Sequence, residues 1–223
     1  MTDEEIKFDS GTKLGPVSGI LHRPRDAGLL YVFAHGGGAD MRHPFMERMS
    51  VELASRGVAT LRYQFPYKEA GKRRPDYPSV LKLTVQSAIG EAQRLAPDLQ
   101  LIAGGKSLGG RMTSAAASEG RLPAVRGVAF LGFPLHPSND PGVERAEHLH
   151  RVRIPMLFLQ GTRDAFARID LIRTVVADLG SDSTIHIVDE GDHSFNVPKR
   201  SGRTHDEVLR ELAETIRAWA ESL

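Results

Sequence analysis

The sequence contains no cysteine, and this absence excludes several classes of protein before any motif is considered. Disulfide scaffolds, thiolate zinc sites, iron–sulfur clusters and cysteine nucleophiles all require a thiol. The chain also lacks a charge imbalance, since 29 Lys and Arg residues face 28 Asp and Glu residues and leave a net charge of +1. Nucleic-acid-binding domains usually carry a basic excess, so we expect no nucleic-acid partner.

Long hydrophobic runs are missing as well. No apolar run approaches the ~20 residues that a membrane-spanning helix needs, and residues 1–5 are acidic rather than apolar, unlike a secretory signal. We therefore expect a cytoplasmic protein without a membrane partner. The chain has no internal repeat or linker, and 223 residues suit one domain of ordinary size, so we predict a single domain over residues 1–223.

Apolar runs alternate with helical patterns along almost the whole chain. Runs typical of strands lie at 6–8, 17–21, 29–34, 58–63, 99–103, 125–133, 156–160 and 184–188. Apolar residues at helical spacing predict helices around 45–53, 81–95, 111–119, 172–179 and 209–223. Because most of the strand-like runs are continuously apolar, we predict an α/β fold, a doubly wound, mostly parallel sheet with helices on both faces.

The strand-like run at 99–103 is followed by the sequence Gly-Gly-Lys-Ser-Leu-Gly-Gly and then by a helical pattern. This places a Gly-x-Ser-x-Gly motif, centred on Ser107, at a strand-to-helix turn, as a nucleophile elbow requires. Side chains at Gly105 and Gly109 would clash in so sharp a turn. The alternative is an ordinary glycine-rich turn in which Ser107 caps the helix.

A serine nucleophile needs a base, and the base needs a carboxylate that orients it. Asp164 follows the next-to-last strand-like run and His193 follows the last one, so both belong at the same sheet edge as Ser107. We predict a triad of Ser107, His193 and Asp164. Asp189 and Asp192 are rival orienting acids, but triad members normally come from different loops.

An oxyanion hole is predicted beside the serine. Residues 35–38 read His-Gly-Gly-Gly directly after a strand-like run, and glycine lets backbone N–H groups approach a substrate closely. We expect the N–H groups of Leu108 and Gly37 to be the donors, with Gly38 as the second choice for the glycine. A phosphate-binding loop is disfavoured because neither G-x-x-x-x-G-K-[ST] nor G-x-G-x-x-G occurs.

These motifs together resemble the α/β-hydrolase superfamily, and within it the small lidless group described as dienelactone-hydrolase-like or "predicted α/β-hydrolase". The resemblance covers nearly the whole chain. The segments that carry it are 34–41 (AHGGGADM), 43–46 (HPFM), 65–67 (FPY), 104–111 (GGKSLGGR), 131–137 (LGFPLHP), 160–164 (QGTRD) and 191–195 (GDHSF).

The resemblance implies the α/β-hydrolase fold and a Ser–Asp–His hydrolase that uses neither a metal nor an organic cofactor. Authentic dienelactone hydrolases use a cysteine nucleophile, which this chain lacks, so the resemblance does not imply their specific activity. The expected reaction is the cleavage of carboxylic esters or thioesters of a small, accessible substrate. Two alternatives are an amide- or peptide-cleaving hydrolase and a non-catalytic scaffold that serves as an interaction subunit, as in some eukaryotic relatives.

The segment from 132 to 153, where lids often enter in this fold, is short, and we predict little or no lid. Basic residues follow several strand-like runs near the predicted site. They are Arg62, Lys106, Arg111 and a loop that holds Lys68, Lys72, Arg73 and Arg74. They suggest an anionic acyl substrate, with internal ion pairing and solvation of the loop as the alternative.

The sequence offers few other candidates for contacts with the substrate. Tyr63 and Phe65 end a strand-like run and could line the pocket, although core packing is an equal alternative. We take Tyr63, Lys106 and Arg111 as candidate substrate-binding residues. His148 and His150 could suggest a metal site, but without convergent carboxylates we expect exposed loop histidines and no metal.

Overall fold

Continuously apolar strands form one eight-stranded sheet in the computed structural model, which describes residues 3–223. The strands are β1 (Asp3–Asp9), β2 (Pro16–His22), β3 (Leu29–Ala34), β4 (Val58–Tyr63), β5 (Gln100–Lys106), β6 (Val125–Leu131), β7 (Met156–Gly161) and β8 (Ser183–Val188). Their spatial order is β1-β2-β4-β3-β5-β6-β7-β8. β2 pairs antiparallel with β1 and β4, and every other pair is parallel.

Within residues 3–223, six α-helices accompany the sheet. They are α1 (Pro44–Ala54), α2 (Pro66–Glu69), α3 (Pro78–Leu95), α4 (Leu108–Ala117), α5 (Ile169–Asp178) and α6 (His205–Glu221). Two 3₁₀ helices cover Glu144–Arg151 and Lys199–Ser201. α6 begins with a capping box, in which Thr204 and Glu207 each bond the other's backbone N–H.

Both faces of the sheet are buried because successive side chains of each strand point to opposite sides. In β3, Leu30 and Val32 pack with α3, whereas Tyr31 and Phe33 pack with α1 and α6. A third cluster joins β6 and β7 to α5. The mostly parallel sheet with helices on both faces confirms the predicted fold class, and it explains why the central strands contain so few polar residues.

All eight predicted strands are present, with small differences at their ends. β5 runs to Lys106, so the strand leads directly into Ser107, and β6 ends at Leu131 rather than at Phe133. The sequence did not predict α2, which has only four residues, or the two 3₁₀ helices. Elements this short contain too few turns to show a helical period.

No lid domain covers the sheet between β6 and β7, as predicted. The 3₁₀ helix in this connection buries Ala146 and Leu149 against Phe133 and the β6–β7 face. The expectation that His148 is an exposed loop residue is wrong: it is partly buried in this helix, and its Nε2 lies 2.7 Å from the Ser114 hydroxyl. His150 is exposed, as expected.

None of the helices within residues 3–223 is long and apolar enough to cross a bilayer.

Candidate active site

Ser107 lies on a strained turn between β5 and α4. Its backbone has φ 51° and ψ −116°, which few non-glycine residues adopt. A Cβ atom at Gly105 or Gly109 would collide with the carbonyl oxygen of Ala34 on β3, because the turn passes so close to that strand. The turn therefore fixes Ser107 at the carboxyl edge of the sheet and at the N-terminus of α4, where backbone N–H groups are free.

The structure brings the three predicted triad residues into one hydrogen-bonded line. His193 Nε2 lies 2.9 Å from Ser107 Oγ, and His193 Nδ1 lies 2.7 Å from Asp164 Oδ2. The Asp164 side chain is fully buried, whereas the His193 side chain keeps 20% of its surface exposed. This arrangement can remove the hydroxyl proton of a serine and hold the resulting imidazolium against a buried carboxylate.

Asp164 is held in place by three donors. Besides His193, its carboxylate accepts hydrogen bonds from Gln160 Nε2 at 2.5 Å and from the Phe166 N–H at 2.8 Å. The Gln160 side-chain oxygen in turn accepts from the Phe133 N–H at 3.0 Å. Gln160 is thus a buried bridge that ties the carboxylate of Asp164 to the loop after β6.

The loop that holds His193 is shaped by Asp192. The Asp192 carboxylate accepts from the N–H groups of Ser194 at 2.8 Å and Asn196 at 2.9 Å, so it organises the turn while Asp164 contacts the imidazole. The other rival acid, Asp189, is exposed and meets only the Thr162 hydroxyl, at 3.4 Å. The geometry favours Asp164 as the partner of His193.

Burial is the main influence on the protonation of His193. It lowers the pKa of the imidazole, and the Asp164 hydrogen bond acts in the opposite direction. The nearby charge of Lys106 lowers this pKa further. His193 is therefore neutral, and able to accept a proton, over a wider pH range than a solvated histidine.

The glycine loop after β3 is held by hydrogen bonds of two buried side chains, His35 and Tyr67. His35 Nε2 accepts from the Phe65 N–H at 3.2 Å while its Nδ1 donates to Gly36 O at 2.8 Å, and burial lowers the pKa of His35 to about 4. The Tyr67 hydroxyl donates to Gly37 O at 2.9 Å. His35 is thus a neutral support for the loop.

The N–H groups proposed from the sequence for the oxyanion hole are free. None of the hydrogen bonds found within residues 3–223 uses the N–H of Gly37, Gly38 or Leu108. Gly37 lies beside Leu108, since a Cβ placed on the glycine would stand 3.3 Å from the leucine side chain. Free donors from two loops, next to a serine, can stabilise an oxyanion.

An open cavity of about 420 Å³ lies in front of Ser107. Its lining is mostly apolar with several cationic side chains. The lining residues are Gly36, Gly37, Gly38, Ala39, His43, Phe45, Met46, Lys106, Ser107, Leu108, Arg111, Pro134, Arg145, Phe166, His193 and Ser194. Lys106 and Arg111, two of the three candidate substrate contacts, are among these lining residues.

The third candidate, Tyr63, is not a lining residue. Its side chain is 1% exposed and packs edge-on against Phe8 and Phe65 in the core, because the end of β4 turns it toward the α3 face. Phe65 is equally buried. For both residues the core alternative is correct.

Most of the other basic residues also lie away from Ser107. Arg62 is buried and pairs with Asp3 at 3.2 Å and Glu47 at 3.9 Å. The loop arginines and Lys72 border a separate depression, and Lys68 stacks on Tyr67. The suggestion that these basic residues surround the site is therefore wrong for all but Lys106 and Arg111.

Several residues at the site were missed by the sequence analysis. Arg145 reaches the cavity from a 3₁₀ helix that no periodicity revealed, and Phe166 lies over the His193 ring with 4.7 Å between the ring centroids. Gln160 and His35 were present in the family-like segments 160–164 and 34–41, and their position next to Asp164 and the glycine loop was the available signal.

The chain matches a known protein family in sequence and known structures in fold. A family model described as an alpha/beta hydrolase domain matches residues 27–221. The fold is similar to that of a dienelactone hydrolase from Anabaena variabilis, with a TM-score of 0.75 and 21% sequence identity over 96% of this chain and 95% of that one.

Two further solved structures have the same fold. One is a lidless α/β serine hydrolase from Xanthomonas campestris, with a TM-score of 0.75 and 15% identity over 98% of this chain and 95% of that one. The other is the esterase domain of a Rhodothermus marinus protein, with a TM-score of 0.74 and 18% identity over 99% of this chain and 98% of that one. At these identities the likeness concerns the fold.

Proposed function

The chain belongs to the α/β-hydrolase domain family, and from this premise we propose that it is a serine hydrolase that cleaves carboxylic esters or thioesters. The observation that carries the proposal is the continuous line from Ser107 Oγ through both ring nitrogens of His193 to Asp164, with bonds of 2.9 Å and 2.7 Å. The line opens onto a cavity that a small substrate can enter.

The first half of the reaction forms an acyl-enzyme. Neutral His193 takes the proton of Ser107 as the hydroxyl oxygen attacks the acyl carbonyl, and the N–H groups of Leu108 and Gly37 stabilise the oxyanion. The imidazolium then gives its proton to the departing alcohol or thiol. Asp164 keeps the histidine in the Nδ1–H form and stabilises its charge.

The second half repeats these steps with water. His193 takes a proton from the water molecule as the oxygen attacks the acyl-enzyme, and it returns the proton to Ser107 when the acid departs. The open cavity and the exposed edge of His193 give water access without movement of a lid.

The first test is labelling with a fluorophosphonate, a reagent that modifies activated serines, together with hydrolysis of a short p-nitrophenyl ester. We expect the wild-type protein to be labelled and to turn over the ester, and Ser107→Ala to lose both. A well-folded wild-type protein that resists labelling would contradict the proposal and favour the scaffold alternative.

A second pair of variants tests which acid orients His193. Asp164→Asn should lower kcat by about 10⁴-fold, because an amide presents the wrong hydrogen-bonding partner to the imidazole. Asp189→Asn is the matched control, since this exposed carboxylate lies near the same loop without contacting His193. Equal losses of kcat in the two variants would contradict the role of Asp164 as the acid that orients His193.

A further inference from the structure

Three cationic side chains line the cavity in front of Ser107, and no Asp or Glu is among the lining residues that the structure describes. The three are Lys106, Arg111 and Arg145. None of the ion pairs found within residues 3–223 includes any of them. Buried cations are normally paired with carboxylates, so Lys106, the buried member of this cluster, lacks the counter-charge that its position requires.

Lys106 is the most enclosed of the three. It is 7% exposed, its Nζ has no hydrogen-bond partner, and it lies 5.9 Å and 5.7 Å from the ring centroids of Phe45 and Phe195. Asp164 and Asp192 act on it only through space, and burial outweighs them and lowers the pKa of Lys106 to about 8. At neutral pH its ammonium group is still mostly protonated and can donate to an anion.

Arg111 and Arg145 add a second, adjoining positive region. Arg111 is on the first turns of α4, four residues after Ser107, and its Nε is buried without a hydrogen-bond partner. Burial lowers the pKa of Arg111, and the charge of Arg145, which lines the same cavity, lowers it further. Two like charges that face one cavity without a carboxylate repel each other, and a bound anion would relieve this repulsion.

We propose that the substrate of this hydrolase carries a carboxylate in addition to its scissile ester, and that Lys106, Arg111 and Arg145 bind that carboxylate. The proposal rests on the proposed function for the reaction and extends it to the substrate class. A half ester of a small dicarboxylic acid has the required chemistry. Its hydrolysis consumes one water and releases the dicarboxylate, the alcohol and one proton.

The test compares anionic esters with neutral isosteres in which the carboxylate is a primary amide. Monoethyl glutarate is paired with the ethyl ester of glutaric acid monoamide, which places the charge on the acyl side. The acetyl ester of glycolic acid is paired with that of glycolamide, which places it on the alcohol side. We expect kcat/KM to favour the anionic member of at least one pair by about 10- to 100-fold, the range of one or two charge-assisted hydrogen bonds.

Variants assign any such preference to the cluster. Arg111→Gln and Arg145→Gln should each reduce the ratio of kcat/KM between the anionic and neutral members by about tenfold. Arg210→Gln removes an exposed arginine of α6 and serves as the matched control that retains the wild-type ratio. Equal kcat/KM within both pairs, or a preference that persists in both cavity variants, would overturn the inference.

Binding to Ser107→Ala separates this inference from the proposed function, because it requires no turnover. In calorimetric titration, monoethyl glutarate should bind about tenfold more tightly than its amide isostere, or the acetyl ester of glycolic acid than that of glycolamide, and the difference should shrink in high salt. Labelling of the wild type without any such difference in binding would support the proposed hydrolase activity and contradict the carboxylate-bearing substrate. A difference in binding without labelling would support the carboxylate-binding site and contradict the proposed hydrolase activity.

Discussion

At the scale of single residues, the charge of Lys106 influences the protonation of His193. Both side chains line one cavity, and the positive charge of the lysine disfavours a second positive charge on the imidazole. Burial and the Lys106 charge lower the pKa of His193, so the neutral base persists below the usual histidine value of ~6.5. Activity is lost as pH falls through the pKa of the histidine. The acid limb of kcat/KM should therefore lie below pH ~6.5 in the wild-type enzyme.

Removal of the Lys106 charge should shift the acid limb of the kcat/KM profile to higher pH. Lys106→Met eliminates a charge that disfavours the imidazolium, so the pKa of His193 rises and the acid limb shifts to higher pH. The measurement is kcat/KM for a neutral ester over about pH 4–8, with Lys7→Met on the exposed face of β1 as the control. A limb that stays in place or moves to lower pH would show that Lys106 does not act on His193.

The relative position of residues can be anticipated from the sequence where the topology of the sheet dictates it. Ser107, Asp164 and His193 each follow their own strand, and parallel strands end at the same sheet edge, so their meeting point could be inferred without coordinates. Tyr63 also ends a strand, but which face it joins depends on the register and twist of the sheet. Arg145 comes from an irregular connection, whose path no local pattern records.

The turn between β5 and α4 is the element on which the site depends most directly. Gly109 lies against the backbone of Ala34 and His35, and a Cβ at this position would have no space. We expect Gly109→Ala to lower the free energy of unfolding by about 1–3 kcal/mol, because the strand or the helix must move. The same movement displaces Ser107 and should reduce ester turnover.

Gly90 offers a matched comparison for this prediction in a helix of the same protein. It is exposed within α3, and a Cβ there would meet nothing within 4 Å. Gly90→Ala should raise the free energy of unfolding by about 0.5–1 kcal/mol through its higher helix propensity. Urea denaturation of both variants measures the two changes, and effects of the same sign would contradict the steric account.

Elements were easier to predict than their ends. The central strands contain almost no polar residue because helices cover both faces, and this signal is strong even in a single sequence. α2 occupies only Pro66–Glu69, yet it brings Tyr67 to the carbonyl of Gly37 and so helps to fix the glycine loop. Its position follows from tertiary contacts, which apolar spacing over four residues cannot reveal.

At the scale of the whole molecule, the course of the chain between β6 and β7 determines access to the site. Residues 132–155 return to the sheet through one 3₁₀ helix, which is anchored by buried Ala146 and Leu149. This helix contributes Arg145 to the rim of the cavity and leaves the edge of His193 in contact with solvent. The cavity is thus open in the resting protein, and no closed form has to be displaced before a substrate enters.

An open site makes a kinetic prediction that distinguishes this chain from hydrolases with lids. Where a lid opens only at a lipid surface, the rate rises sharply when an ester exceeds its solubility, because that surface stabilises the open lid. Here the rate should rise with the concentration of dissolved ester and stay level above the solubility limit of a short triglyceride such as tributyrin, because the dissolved concentration no longer increases there. The pH-stat rate below and above that limit measures this, with fluorophosphonate labelling in each solution as a check that the serine stays accessible. A jump in rate at the limit would mean that the connection between β6 and β7 moves as a lid does, despite its buried anchors.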